Sequence, residues 1–200
     1  MPEVLHDRDI REPLFDFLEE HYGRVRILEE KQTGRARADV VMVTPRLLVG
    51  IEIKSDADTY ARLKKQVQYY DQYYDRNIIV VGSTHASHVG EHVPEWWGIV
   101  SAEWLDERAG RMDFYVLREP SDNPKVKAEK KLRILWRPEL NHLLERNRLA
   151  AYRQKSKEFV RKKCLEKVPE EILWPQVMDE LFERDYNTIE EEIEEYRRKG

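Results

Sequence analysis

Asp39, Glu52 and Lys54 are the residues of this chain whose types and spacing could act on a phosphate. Glu52 and Lys54 stand two apart inside the apolar run 47–55. On a strand they share one face, while Val49, Ile51 and Ile53 share the other. Asp39 opens the preceding apolar run, Val40-Val41-Met42-Val43, which puts a second acid on the neighbouring strand. Charges buried beside a hydrophobic sheet are costly unless they are paired or bound to a metal. Two carboxylates a few ångströms apart repel, and a hard divalent cation removes the conflict and recruits water. Mg²⁺, or Mn²⁺, is the expected cofactor. Mg²⁺ prefers oxygen ligands and keeps several waters, so Asp39, Glu52 and the Ile53 backbone carbonyl make a sufficient protein share. Lys54, roughly 6–7 Å along the strand from Glu52, would orient the attacking water or stabilise the phosphorane.

The tripeptide Glu-x-Lys carries little information here, because it occurs three times: Glu29/Lys31, Glu52/Lys54 and Glu129/Lys131. Context separates the middle copy, with its strand-type run and the acid on the adjacent strand. The competing reading is a surface ion pair worth about 0.2–1 kcal/mol. Gln66, on the helix that follows, lies about 60° from Leu63 at the edge of the apolar stripe, where it faces the site. Glu12 and Glu30 compete for a fourth acidic position, and Glu12 also reads as the partner of Asp9 in a capping box. His85, His88 and His92 have spacings of 3 and 4 but no fourth ligand, and they read as a solvated helix face.

The elements that must position these residues follow from periodicity. A first helix is expected from Asp9 to Tyr22, stopped near Gly23, then a strand over 25–30 and a polar turn over 31–37. Strands over 38–44 and 47–54 follow, joined by Thr44-Pro45-Arg46. Asp56 or Asp58 would cap the next helix, whose stripe is Leu63, Val67, Tyr70 and Tyr74. Asn77 to Gly82 reads as a buried strand. A short helix near His85 to His92, a strand near Trp97 to Val100 and an edge strand over 111–117 complete an αβββαβαβ order. Glu119-Pro120-Ser121-Asp122-Asn123-Pro124 has linker composition. It divides a domain over 1–120 from a charged helical module over 121–200.

Composition bounds the rest. The chain has 200 residues, with 37% charged and 40% hydrophobic. No apolar run approaches the roughly 20 residues of a membrane span, and Met1-Pro2-Glu3 does not begin a signal peptide. The single cysteine, Cys164, excludes an intramolecular disulfide, and a reducing, cytoplasmic compartment is expected. The net charge of −4 hides an asymmetry: residues 125–167 carry 15 Lys/Arg against 5 Glu, and residues 168–200 carry 4 against 11 Asp/Glu. The basic block has the composition of a nucleic-acid contact, and it equally suits a helical face paired with the acidic tail. Thr188-x-x-Glu191 is expected to cap a last acidic helix.

Asp39 followed by Glu52-Ile53-Lys54 resembles the PD-(D/E)xK nuclease superfamily, and Gln66 with Tyr70 resembles the Q-x-x-x-Y element of its RecB-like branch. Asp9-Ile10-Arg11, Arg37-Ala38-Asp39, Gly50 to Ser55 with Asp58-Thr59 and Arg62-Leu63, Pro94-x-Trp96-Trp97-Gly98, and Leu135-Trp136-Arg137-x-Glu139-Leu140 are together similar to a bacterial and phage family of such proteins. The resemblance implies an α/β, restriction-endonuclease-like αβββαβ core, a mixed sheet flanked by helices, with an all-helical C-terminal extension. It implies a metal-dependent DNA nuclease with Asp39, Glu52, Lys54 and Gln66 in the site, or a catalytically inactive DNA-binding or adaptor relative. A second resemblance, over 138–165, is to the helix–loop–helix of SAP-type DNA-binding motifs. Arg37, Arg148, Arg153, Lys155 and Lys157 are the expected DNA contacts, and a homodimer is left open.

Overall fold

The structure is a computed structural model. It describes residues 4–33, 36–106 and 110–185 and, for 30–33, 36 and 37, the backbone alone. The chain divides into two compact units, Met1–Val126 and Lys127–Gly200.

The first unit is built on a six-stranded mixed sheet. Helix α1 (Asp7–Tyr22) precedes β1 (Arg26–Thr33), β2 (Ala36–Val43) and β3 (Leu48–Lys54). Helix α2 (Leu63–Tyr73) then leads to β4 (Arg76–Gly82), β5 (Gly98–Asp106) and β6 (Arg111–Arg118). The strands lie in chain order, β1 to β6. The β3–β4 and β4–β5 pairs are parallel and the rest antiparallel. Helix α2 is the crossover that a parallel β3–β4 pair requires. Alternation assigns the two faces. Val49, Ile51 and Ile53 pack with Ile10, Leu14 and Leu18 of α1 in one core cluster. The opposite face carries Gly50, Glu52 and Lys54, and it receives α2. A side chain at Gly50 would stand 2.3 Å from the Tyr74 ring and 2.8 Å from the Tyr70 ring, so only glycine lets α2 seat this closely.

Several expectations change. Helix α1 begins at Asp7, where the His6 backbone N–H donates to Asp9 Oδ2 (3.0 Å). Asp9 is therefore the third residue of the cap and not its first. The expected turn over 31–37 is mostly strand, with Lys31 opposite Ala38 and Thr33 opposite Ala36. Neither Asp56 nor Asp58 caps α2. Asp58 accepts from the Ser55 N–H and hydroxyl (2.9 and 2.7 Å), Asp56 accepts from Thr84, and the helix is entered through a 3₁₀ turn at Tyr60–Arg62. The expected helix over 85–92 is a run of turns with 3₁₀ residues at Val89–Glu91, and His85 and His92 flank the Tyr60 ring. The linker-like 119–124 segment is docked instead. Pro120 is buried, and Asn123 Nδ2 donates to the carbonyls of Asp71 (2.9 Å) and Tyr74 (2.7 Å) at the end of α2.

The second unit is helical: α3 (Ala128–Lys131), α4 (Arg137–Arg146), α5 (Lys157–Lys167) and α6 (Glu170–Phe182). Leu140, Leu143, Val160, Cys164, Leu173 and Val177 are among its buried residues. Glu139 accepts two bonds from Arg184, at Nε (2.5 Å) and NH2 (2.7 Å), and both side chains are buried. Part of the basic block also pairs within the unit, for Arg146 meets Asp179 (3.0 Å). The helix expected near Thr188 lies outside the described residues.

Candidate metal and phosphate site

The β2–β3 register runs from Val43 opposite Leu48 to Val40 opposite Ile51. The paired register ends there, and by alternation its next position would set Asp39 opposite Glu52 on the α2 face. Like charges directly opposite on a strand pair destabilise it, and these two are largely out of water: the Glu52 side chain is 1% exposed and that of Asp39 26%. The ladder departs from its pattern at this point. The Ile53 N–H donates to Asp39 Oδ2 (2.9 Å). N–H and C=O of one strand residue face the same neighbour, so the Ile53 carbonyl is also turned toward β2, and Lys54 Nζ lies 3.4 Å from it.

Glu52 is held from three sides. Lys54 Nζ and Gln66 Nε2 both donate to its Oε1 in close contacts. The Tyr70 hydroxyl lies 2.8 Å from Oε2. Gln66 and Tyr70 are four residues apart on α2 and so share a face, which is why one helix serves both carboxylate oxygens. The Tyr70 oxygen also accepts from the Asp39 N–H (3.3 Å), so Tyr70 bridges β2 and β3 where their pairing changes. Burial pushes the Glu52 carboxyl up to about 7, with the Asp39 charge adding to the rise and Lys54 opposing it. Burial also raises Asp39, against the Ile53 N–H and Lys54. Burial, with the charges of Glu52 and Asp39, holds the Tyr70 phenol well above its ordinary value, so it remains a donor.

Among the described residues no group of three or more His, Cys, Asp and Glu converges as a metal centre. The donors present are two carboxylates and a peptide carbonyl, an all-oxygen set of the kind that suits a hard divalent cation. Gln66 Oε1 is buried with no hydrogen-bond partner, an acceptor left open at the same place.

Asp39, Glu52, Lys54, Gln66 and the Ile53 backbone are therefore brought together. Glu12 is exposed on α1, about 200° around the helix from the buried Ile10, and joins none of these bonds. Glu30 stands between the rungs Glu29–Val40 and Lys31–Ala38, hence opposite Asp39 in register. Its side chain, like that of Arg37, lies outside the described residues. In the helical unit Arg148, Arg153 and Lys155 are exposed on the loop between α4 and α5, and that loop is tied by Arg137 to the carbonyls of Tyr152 (2.8 Å) and Lys155 (2.6 Å). Lys157 is half-buried, and burial with the nearby Arg161 lowers its amine to about 8. The sequence resemblance marked Tyr70 in the Q-x-x-x-Y element and Arg11 in Asp9-Ile10-Arg11, but assigned neither a contact in the site. Their signal was present, for Tyr70 follows Gln66 by four residues and Arg11 follows Asp7 by four.

No curated protein and no solved structure matches the chain. The family model described as bacteriophage P4 protein cII matches residues 3–198, and the chain belongs to that family.

Proposed function

We propose that the chain is a divalent-metal-dependent nuclease that hydrolyses phosphodiester bonds in DNA, with a PD-(D/E)xK-type site. The observation that carries this reading is Asp39 and Glu52 on the neighbouring strands β2 and β3, both largely out of water and the Asp39 charge acting on Glu52, with the Lys54 ammonium on Glu52. Asp39, Glu52 and the Ile53 carbonyl would hold Mg²⁺ or Mn²⁺, which supplies a Lewis acid for the phosphoryl oxygen and a more acidic bound water. Gln66 and Tyr70 orient the Glu52 carboxylate. Lys54 sets a positive charge where negative charge develops on the phosphate. The order αβββαβ from α1 to β4 agrees with this assignment. The exposed Arg148, Arg153 and Lys155 support a phosphate-contacting role for the helical unit, sequence-independent and salt-sensitive.

A second reading is favoured by the saturation of Glu52. Its Oε1 is shared by Lys54 and Gln66, and its Oε2 lies against Tyr70. A site closed in this way suits a DNA-binding or adaptor protein without turnover. Incubating purified protein with linear, supercoiled and single-stranded DNA in Mg²⁺, Mn²⁺ or EDTA separates the two. Cleavage in metal that disappears in EDTA and in Lys54→Ala, with the fold intact, supports the nuclease. DNA binding without cleavage under every ion selects the second reading. Cleavage that persists in EDTA or in Asp39→Ala overturns the metal site.

A further inference from the structure

Arg11 enters the site from α1 and lies between two carboxylates. Asp7, one turn earlier, holds one edge of the guanidinium, with Nε at 2.7 Å and NH2 at 3.4 Å. On the other edge NH1 donates to the Asp39 backbone carbonyl (3.3 Å), while NH2 stands 3.9 Å from Asp39 Oδ1. That last distance is an attraction of charges and not a hydrogen bond. The Arg11 side chain is 17% exposed and that of Asp7 40%. Beside them opens a cleft of about 460 Å³ lined by His6, Asp7, Arg8, Ser55, Ala57 and Asp58. Asp7 is thus at once the grip on Arg11 and a wall of the cleft.

A half-exposed i,i+4 carboxylate is a weak partner for arginine. A phosphate diester offers two non-bridging oxygens that match the planar fork, and carries a charge that Asp7 would otherwise oppose. The guanidinium can therefore pass from Asp7 to an anion in the cleft while NH1 keeps its hold on β2. We propose that Arg11 is a phosphate ligand for duplex DNA, parked on Asp7 in the free protein and transferred to a backbone phosphate when DNA enters the cleft. That this phosphate is the one cleaved rests on the nuclease reading above. The contact itself needs neither metal nor turnover.

The test is equilibrium binding of a fluorescent duplex in EDTA, followed by anisotropy across a salt series. Removing one phosphate contact lowers the magnitude of the slope of log Kd against log[salt] by about 0.9. Arg11→Gln is expected to show that drop, with binding at fixed salt weakened roughly tenfold. Arg11→Lys keeps the charge and restores the slope but not the full affinity. Asp7→Asn tightens binding, and the gain disappears in the Asp7→Asn, Arg11→Gln double variant, because only Arg11 was being released. An unchanged slope in Arg11→Gln, an equal gain from Asp7→Asn in both backgrounds, or a wild-type protein that binds no duplex overturns the proposal. If Arg11→Gln fails to fold, the Asp7→Asn gain and its loss in Arg11→Met decide. A protein that cleaves nothing in Mg²⁺ or Mn²⁺ yet shows these shifts loses the nuclease reading and keeps the phosphate contact.

Discussion

Glu52 should make the metal-free protein less stable as pH rises through neutrality. Its carboxyl moves from an ordinary value of 4.5 to about 7 in the folded protein, chiefly through burial. A folded value above the unfolded one means the native state binds the proton more tightly. Stability from this group is therefore fully present below about pH 4.5 and is lost as pH climbs through 7. Each pH unit between the two values is worth about 1.4 kcal/mol, so the loss approaches about 3 kcal/mol by pH 8. The Glu52 side chain is 1% exposed, so solvent screening removes little of this. Glu52→Gln keeps the shape of the protonated acid and abolishes the titration. Native-state hydrogen exchange of β3 and α2 amides in EDTA, from pH 5 to 8, reads the first unit alone. The wild-type protein should lose protection relative to Glu52→Gln steadily across this window, once intrinsic exchange rates are removed. Parallel curves for the two proteins would refute the reasoning, because they would mean that Glu52 is as well solvated folded as unfolded.

Two further outcomes test the packing that holds the site. Gly50→Ala drives a methyl group into the Tyr74 and Tyr70 rings at 2.3 and 2.8 Å. It should cost about 1–3 kcal/mol by urea unfolding and disturb Tyr70 at Glu52, whereas Gly90→Ala, whose methyl group would meet only Ile99 at an ordinary 3.8 Å, should not. In the helical unit, Glu139→Gln leaves Arg184 buried beside a neutral partner and should cost about 3–5 kcal/mol in the exchange of α4 amides. Arg146→Ala, which breaks a more exposed pair with Asp179, should cost less than about 1 kcal/mol.

What could be read without the fold is what chain periodicity encodes locally. The alternation in residues 47–54 places Glu52 and Lys54 on one face, and the four-residue spacing of Gln66 and Tyr70 places both on one side of α2. The order of strands and helices through β4 follows from the same patterns, because hydrophobic period reports which face is buried. Punctuation was less reliable. Asp56, Asp58 and the 119–124 segment have turn and linker composition, yet they fasten the Ser55 and Thr84 loops and the end of α2. An aspartate or asparagine bonds whichever backbone or hydroxyl group lies nearest in space, and its neighbours in sequence do not specify that.

The site itself was decided by tertiary contacts. That Asp39 meets Glu52 depends on the β2–β3 register, and a slip of one residue would send Asp39 to the α1 face. That Tyr70 joins them depends on α2 seating over Gly50, and that Arg11 reaches Asp39 depends on α1 lying along the sheet. These contacts span 13 to 31 residues of chain. Local periodicity establishes which residues share a face. Only the packed structure determined which faces meet, because packing selects one set of long-range neighbours from many that the local patterns allow.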